Sequence, residues 1–138
     1  MTNQIKILIV DDDPDFIQFA TAAFKTKLYE VNVADSKRQG LERVKEETPS
    51  LIVLGTLAPR GDAFELHREL KENPQYRAIP MIVVDASPED QARKGWRRDE
   101  GLMLDAEDYV ARPVEVSVLV DRVEKLLGRR YHEPLRSV

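Results

Sequence analysis

The sequence contains no cysteine, so it can form neither a disulfide framework nor a thiolate metal site. This absence fits a reducing compartment, and we expect a cytoplasmic protein. No apolar run approaches the roughly 20 residues of a membrane-spanning helix. The N-terminus also shows no charged leader followed by an apolar stretch, so we expect no secretion signal. Basic residues are not in excess, because the formal net charge is −4. Nucleic-acid-binding domains are usually strongly basic, so the charge argues against that function.

A chain of 138 residues is long enough for one domain that buries a core without covalent staples. Its composition, 42% hydrophobic and 33% charged, is that of a globular protein. We assign the domain to residues 1–128. Residues 129–138, with their arginines, a histidine and a proline, are interpreted as a basic tail or the start of a linker.

Short apolar runs alternate with stretches of helical periodicity along the whole domain. The runs predict strands at residues 5–10, 31–33, 51–54, 80–84 and 108–112. The periodic stretches predict helices that begin at residues 14, 37, 62, 87 and 116. Alternation of this kind indicates an α/β fold, a doubly wound parallel sheet with helices on both faces.

The sequence also predicts the buried face of the first helix, the bounds of the last two helices and the location of the two histidines. Apolar residues from Phe16 to Leu28 recur at helical spacing, which predicts one buried stripe on the first helix. The fourth helix is expected to run from Ser87 to about Leu104, and the last helix to end near Gly128. His67 and His132 lie far apart without metal-ligand spacing, so both are expected on the surface.

The residues that follow the strands are the candidates for a functional site, because open α/β sheets bind ligands beyond the carboxyl ends of their strands. Three acids, residues 11–13, follow the first strand. Gly55 follows the third strand, Asp85 the fourth and Arg112 the fifth.

These segments resemble the receiver domains of bacterial two-component response regulators. The resemblance spans Ile5 to Gly128 and rests on the order and spacing of four segments: ILIVDDDP, LIVLGTLAPRGDAFELHRELK, IPMIVVDAS and AEDYVARPVE. It implies a flavodoxin-like sheet with strand order 2-1-3-4-5. It also implies a role in signal transduction or a phosphorelay.

The resemblance implies a magnesium site and a phosphoryl acceptor, and this sequence departs from both. Two acids after the first strand hold Mg²⁺ in the family, and Asp11 and Asp12 match them. The aspartate that accepts the phosphoryl group is replaced by Gly55. Glycine has no carboxylate, so it forms no acyl phosphate and supplies no ligand to a hard cation. We therefore expect Mg²⁺ binding to be weak or absent.

The remaining family positions are also altered. Asp85 stands where a threonine or serine contacts the phosphoryl oxygens, and its negative charge would repel them. Arg112 replaces the lysine that pairs with the phosphate, and its planar fork suits a carboxylate. Tyr109 matches the aromatic whose rotation accompanies activation. Pro113 matches a proline that commonly follows a cis peptide bond.

We interpret the chain as an atypical receiver, or pseudo-receiver, that acts as a regulatory protein-interaction module without phosphorylation. We further expect Arg112 to pair with Asp85 or Asp12, which would replace a phosphate-centred network by an internal one. The alternative is a conventional phosphoryl-accepting receiver that uses a non-standard site.

An enzyme or a flavodoxin-like cofactor binder is not favoured. The loop after the first strand carries three carboxylates, which would repel a cofactor phosphate. No nucleophile and base lie together at the strand ends, so we assign no catalytic residue.

The expected partners are proteins: a histidine kinase, an output domain, a downstream regulator or a second copy of the chain. The resemblance implies that they dock on the face formed by the fourth helix, fifth strand and fifth helix, where we place Tyr109 and Trp96. Trp96 lies in a basic stretch, residues 93–98, which could dock an acidic partner. The competing interpretation is that Trp96 packs inward and the basic side chains are merely solvated.

Overall fold

The computed structural model describes residues 4–131, with side chains described for residues 4–128. Within that range it contains five strands and six helices. The strands are β1 (Lys6–Val10), β2 (Glu30–Ala34), β3 (Leu51–Leu54), β4 (Met81–Asp85) and β5 (Asp108–Ala111). The helices are α1 (Pro14–Thr26), α2 (Lys37–Glu47), α3 (Asp62–Glu72), α4 (Gln91–Lys94), α5 (Arg98–Leu102) and α6 (Val116–Tyr131).

The strands form one parallel sheet with the order β2-β1-β3-β4-β5, which confirms the predicted fold and strand order. The central strands β3 and β4 are buried along their whole length. Such continuous burial requires apolar side chains on both faces, and this explains why these strands appear in the sequence as unbroken apolar runs.

Two hydrophobic clusters lie on opposite faces of the sheet. One packs α2 and α3 against the sheet and includes Trp96. The other packs α1 and α6 against the opposite face, with Phe24 fully buried at its centre. Because helices cover both faces, the carboxyl edge of the sheet is left for the functional side chains.

Helix α1 begins as predicted, but its buried stripe is shorter than expected. Asp13 caps the helix by accepting a hydrogen bond from the Asp15 main-chain N–H, and Pro14 takes the first helical position. The helix ends at Thr26. Leu28 therefore lies beyond it, with φ of 66° and 84% of its surface exposed. Its assignment to the buried stripe was wrong.

The prediction of one helix from Ser87 to Leu104 was also wrong, because the segment forms two short helices. The chain becomes extended at Gly95, where ψ is 166°. Arg60 stabilises the break: its Nε donates to the Gly95 carbonyl at 2.7 Å, and its Nη2 donates to the Gln91 carbonyl at 3.2 Å. The Gly95 carbonyl, which a continuing helix would pair internally, is thus satisfied by Arg60, whereas the Gln91 carbonyl also keeps its helical bond from Gly95 N–H at 2.9 Å.

Helix α5 has a defined start, and helix α6 is longer than expected. Glu100 starts α5 by accepting a hydrogen bond from the Arg97 main-chain N–H at 2.7 Å. Helix α6 continues to Tyr131, past the predicted stop at Gly128. A Cβ added at Gly128 would meet no described atom within 4 Å, so this glycine lies in an open position that a helix tolerates. No helix among residues 4–131 has the length and apolar character needed to cross a bilayer.

His67 is buried, with 3% of its surface exposed, so its predicted surface location was wrong. It lies on α3, and its Nε2 accepts a hydrogen bond from the Asp105 main-chain N–H at 3.1 Å. Among the described residues, its Nδ1 has no hydrogen-bond partner. His132 lies outside the described residues.

The environment of His67 predicts a pH dependence of stability. Burial, reinforced by nearby Lys71, lowers the pKa of His67 below its ordinary 6.5, although Asp105 and Glu107 act in the opposite direction. As the pH falls below about 6.5, the unfolded chain binds this proton more readily than the folded protein. The free energy of unfolding should therefore decline with acidification through this range.

Urea unfolding of the wild-type protein and of His67→Gln, at pH 7.5 and at pH 5.5, measures this contribution. Glutamine can accept the Asp105 hydrogen bond but does not titrate, so the acid-induced loss of stability should be smaller in the variant. An equal loss in the two proteins would contradict the role assigned to His67.

Candidate functional site

The carboxyl ends of the parallel strands bring the predicted site residues together at one edge of the sheet. Asp11 follows β1, Gly55 follows β3, Asp85 ends β4 and Arg112 follows β5. Main-chain hydrogen bonds fix this edge: Gly55 N–H donates to the Val10 carbonyl at 2.7 Å, and Arg112 N–H donates to the Asp85 carbonyl at 3.1 Å. Residues far apart in the sequence are therefore held in contact by the sheet itself.

Arg112 and Asp11 form a two-pronged ion pair at the centre of the site. Arg112 Nη2 lies 2.5 Å from Asp11 Oδ1, and Nη1 lies 3.2 Å from Asp11 Oδ2. The Asp11 side chain is fully buried and that of Arg112 is 12% exposed. A buried charge is costly unless it is paired and hydrogen-bonded, and this geometry meets both conditions.

The rest of the Arg112 guanidinium is held equally firmly. Nη2 donates to the Val84 carbonyl at 3.0 Å, and Nε donates to the Asp85 carbonyl at 3.2 Å. The guanidinium carbon lies 4.4 Å from the centre of the Phe16 ring, a cation–π distance. These contacts leave Arg112 no free orientation toward solvent.

The expectation that Arg112 pairs with the Asp85 or Asp12 carboxylate was wrong about the partner. The Asp12 carboxylate instead accepts a hydrogen bond from the Ala58 main-chain N–H at 2.8 Å. Arg112 donates a hydrogen bond to the main-chain carbonyl of Asp85 and not to its carboxylate, because that carboxylate accepts hydrogen bonds from other donors. Arg112 thus forms the expected internal network, but its carboxylate partner is Asp11.

The ion pair occupies the space that a side chain at position 55 would need. A Cβ placed on Gly55 would lie 1.9 Å from Asp11 Oδ1 and 2.7 Å from Arg112 Nη2. Both distances are far below van der Waals contact. Gly55 is therefore required by the ion pair, irrespective of backbone conformation.

The Asp85 carboxylate forms a second network beside the first. Oδ1 accepts hydrogen bonds from the main-chain N–H groups of Ala86 at 2.7 Å and Trp96 at 2.9 Å. Oδ2 accepts a hydrogen bond from the Tyr109 hydroxyl at 2.5 Å. Partial burial, followed by this contact with Asp85, raises the pKa of Tyr109 to about 12. The hydroxyl thus remains a donor at physiological pH.

Trp96 belongs to the site and not to the exposed face on which the sequence analysis placed it. Only 6% of its surface is exposed, and its indole Nε1 donates to the Gly55 carbonyl at 3.0 Å. The adjacent basic residues are partly neutralised, because Arg93 pairs with Asp90 and Arg97 with Glu100. The competing interpretation, inward packing of Trp96, is confirmed.

Little in the sequence indicates this role of Trp96. The one signal was the preceding glycine, which weakens a helix and could have marked the break that turns Trp96 inward. Tyr109, the other residue assigned to the output face, is 47% exposed even though its hydroxyl reaches Asp85.

A family model described as "Response regulator receiver domain" matches residues 7–124. The chain belongs to this family. The match covers the site, the whole sheet except Lys6, and all but the last turns of α6.

Similar proteins include receiver domains in several contexts. Over 133 residues the chain is 26% identical to the response regulator ArlR of Staphylococcus saprophyticus, covering 96% of this chain and 57% of ArlR. It is 27% identical to protein PilH of Pseudomonas aeruginosa, covering 89% of this chain and 98% of PilH. Among solved structures, the signal receiver domain of a signal transduction histidine kinase from Syntrophus aciditrophicus aligns with a TM-score of 0.77 and 26% identity, covering 92% of each chain.

The receiver family is associated with Mg²⁺, and the residues of this receiver do not fit that ion. A carboxylate offers about four lone-pair positions for hydrogen bonds or metal ligation. Asp11 Oδ1 already accepts from Thr56 N–H at 2.8 Å and from Arg112, and Oδ2 accepts from Asp13 N–H at 2.9 Å and from Arg112. Among residues 4–131, no cluster of three or more acids or histidines has the arrangement of a metal site. The Arg112 guanidinium supplies the positive charge instead.

The packing of this receiver around Gly55 predicts that any side chain there destabilises it. Gly55→Ala should reduce the free energy of unfolding by about 1–3 kcal/mol, because the new methyl group overlaps the buried ion pair. Gly101→Ala is the matched control: its Cβ would meet no described atom within 4 Å, and alanine favours a helix. Urea denaturation of the two variants gives the comparison. A Gly55→Ala protein as stable as wild type would contradict the packing.

The ion pair itself can be tested against a surface pair of the same residue types. Arg112→Met should cost about 3–5 kcal/mol, because it leaves the Asp11 carboxylate buried without a counter-charge. Arg122 donates to both oxygens of Asp108 at 2.9 and 3.0 Å but is 41% exposed, so Arg122→Met should cost less than about 1 kcal/mol. Equal costs, measured by denaturant unfolding, would show that the buried pair has no special weight.

Proposed function

We propose that this receiver domain is a phosphorylation-independent regulatory module that acts by binding other proteins. The observation that carries the proposal is the Asp11–Arg112 ion pair, which fills the space a side chain at position 55 would occupy. An acceptor carboxylate is missing, and there is also no room for one while the pair is intact.

The surrounding charges support the same proposal. A phosphoryl group at this edge would lie near the fully hydrogen-bonded Asp11 carboxylate and the buried Asp85 carboxylate. Like charges at short range repel strongly in a partly buried site. The positive charge of Arg112 is already neutralised by Asp11, so it offers a phosphoryl group little compensation. Thr56 carries a buried hydroxyl at the strand end, but this hydroxyl has no hydrogen-bond partner among the described residues, so no base is in position to activate it.

The alternative remains a phosphoryl-accepting receiver that uses a non-standard carboxylate. Asp12 and Asp13 are the candidates, since both lie at the same edge and are partly exposed. Either would have to accept the phosphoryl group without the magnesium site that Asp11 would otherwise help to form. The two proposals differ in one direct measurement.

The candidate partners follow from the family and from the surface. The chain spans 57% of ArlR but 98% of PilH, so a histidine kinase, an output domain within the same protein and a separate downstream regulator are all candidates. A second copy of the chain is another. The elements predicted for docking are α4, α5, β5 and α6, and Leu102, Met103, Tyr109 and Val118, on or next to these elements, have exposed side chains. Their exposure supports a protein partner at these elements.

Incubation with acetyl phosphate and Mg²⁺, followed by intact-protein mass spectrometry, separates the two proposals. The wild-type chain should gain no stoichiometric phosphoryl adduct. An adduct mapped to Asp12 or Asp13 would overturn the proposal and establish the alternative.

Restoring the acceptor alone should not restore the reaction. In Gly55→Asp the new carboxylate competes with Asp11 for Arg112, and Asp85 still repels the phosphoryl oxygens. The triple variant Gly55→Asp, Asp85→Thr, Arg112→Lys is the positive control, and we expect it alone to gain the adduct with acetyl phosphate. Stoichiometric phosphorylation of the Gly55→Asp single variant would show that Gly55 alone prevents the reaction.

A further inference from the structure

The Asp85 carboxylate gathers donors from three separate parts of the chain. Ala86 belongs to the loop after β4, Trp96 to the break between α4 and α5, and Tyr109 to β5. The Asp85 residue is 1% exposed. Its carboxylate is thus a buried anion ligated by two main-chain amides and one hydroxyl, an arrangement that resembles an anion-binding nest.

Trp96 fixes the position of the segment between the two short helices, because both its main chain and its side chain are hydrogen-bonded. Its main-chain N–H is held by Asp85 at 2.9 Å and its indole N–H by the Gly55 carbonyl at 3.0 Å. The indole also packs edge-on against Phe64, at a centroid distance of 6.1 Å, and against His67 at 6.3 Å. The main chain of Trp96 is therefore bonded to the last residue of β4, and its side chain to the residue that follows β3.

Asp85 also joins this segment to the central ion pair. Its main-chain carbonyl accepts hydrogen bonds from Arg112 N–H at 3.1 Å and from Arg112 Nε at 3.2 Å. Movement of the α4–α5 segment would have to break contacts to Asp85, whose backbone is held in the β4–β5 pairing.

We infer that Asp85 is a built-in anion that holds the α4–α5 segment and Tyr109 in one fixed arrangement. This inference rests on the proposed function, since a domain without phosphorylation needs another source of a defined binding surface. A domain switched by phosphorylation gains negative charge from a phosphoryl group, whereas here the Asp85 carboxylate provides negative charge permanently.

The 138-residue chain offers a direct probe, because Trp96 is its only tryptophan. Asp85→Ala removes the carboxylate and releases the Trp96 main-chain N–H. We expect its fluorescence to shift to longer wavelength and to become more sensitive to acrylamide. Hydrogen exchange of the amides of residues 96–102 should accelerate by about two- to tenfold or more, as expected for the loss of a hydrogen bond. Asp121→Ala is the matched control, since this exposed aspartate on α6 pairs only with Lys125 among the described ion pairs.

Asp85→Asn keeps the test decisive if the alanine variant fails to fold. Asparagine retains an oxygen for the two amides but lacks the charge, so its exchange should be faster than wild type and slower than Asp85→Ala. Exchange and fluorescence equal to wild type in the Asn variant would overturn the assignment of Asp85 as an anion. Equality in both variants would overturn the pinning as well. The acetyl phosphate experiment is independent of these measurements. If both Asp85 variants behave like wild type and the wild-type chain gains no phosphoryl adduct, this inference is rejected while the proposed function is retained.

Discussion

The buried ion pair between Asp11 and Arg112 is the interaction on which the rest of the site depends. It joins the ends of β1 and β5, which are separated by 101 positions in the sequence. The pair is tolerated in the interior because main-chain groups at the sheet edge also bond both oxygens of Asp11 and the Nε and Nη2 groups of Arg112. Gly55 is then a consequence, since the ion pair leaves no space for a Cβ at the end of β3. The glycine and the arginine are best understood as one coupled change.

The second network extends this constraint toward the surface. Asp85 receives Arg112 on its main-chain carbonyl and receives Trp96 and Tyr109 on its carboxylate. One residue therefore connects a charge at the centre of the sheet edge with the segment that bears the exposed apolar side chains. Low local dielectric strengthens such hydrogen bonds and also makes their loss costly. Under the proposed function, this connection provides a defined surface without any bound phosphoryl group.

The fold was predictable from the sequence because burial on both faces gives β3 and β4 continuous apolar runs, and the helices between them have clear periodicity. The composition of the site was predictable for the same reason: parallel strands bring their carboxyl ends to one edge. The partner of Arg112 was not predictable, because it depends on which carboxylates are already occupied. The Ala58 main-chain N–H donates to the Asp12 carboxylate, and Trp96 and Tyr109 donate to the Asp85 carboxylate. The break after α4 was not predicted because Arg60, distant in sequence, donates the hydrogen bond to the Gly95 carbonyl that a continuing helix would have supplied.

We propose that the guanidinium of Arg112 provides the positive charge beside Asp11 that a metal ion would otherwise provide. Titration of the wild-type chain with Mg²⁺, followed by NMR shifts of the main-chain amides of residues 11–13 and Thr56, tests it directly. The account predicts no saturable shift at millimolar Mg²⁺, because all the acceptor positions of Asp11 are filled. Saturable shifts confined to these amides would show that Mg²⁺ displaces the arginine and would contradict the account.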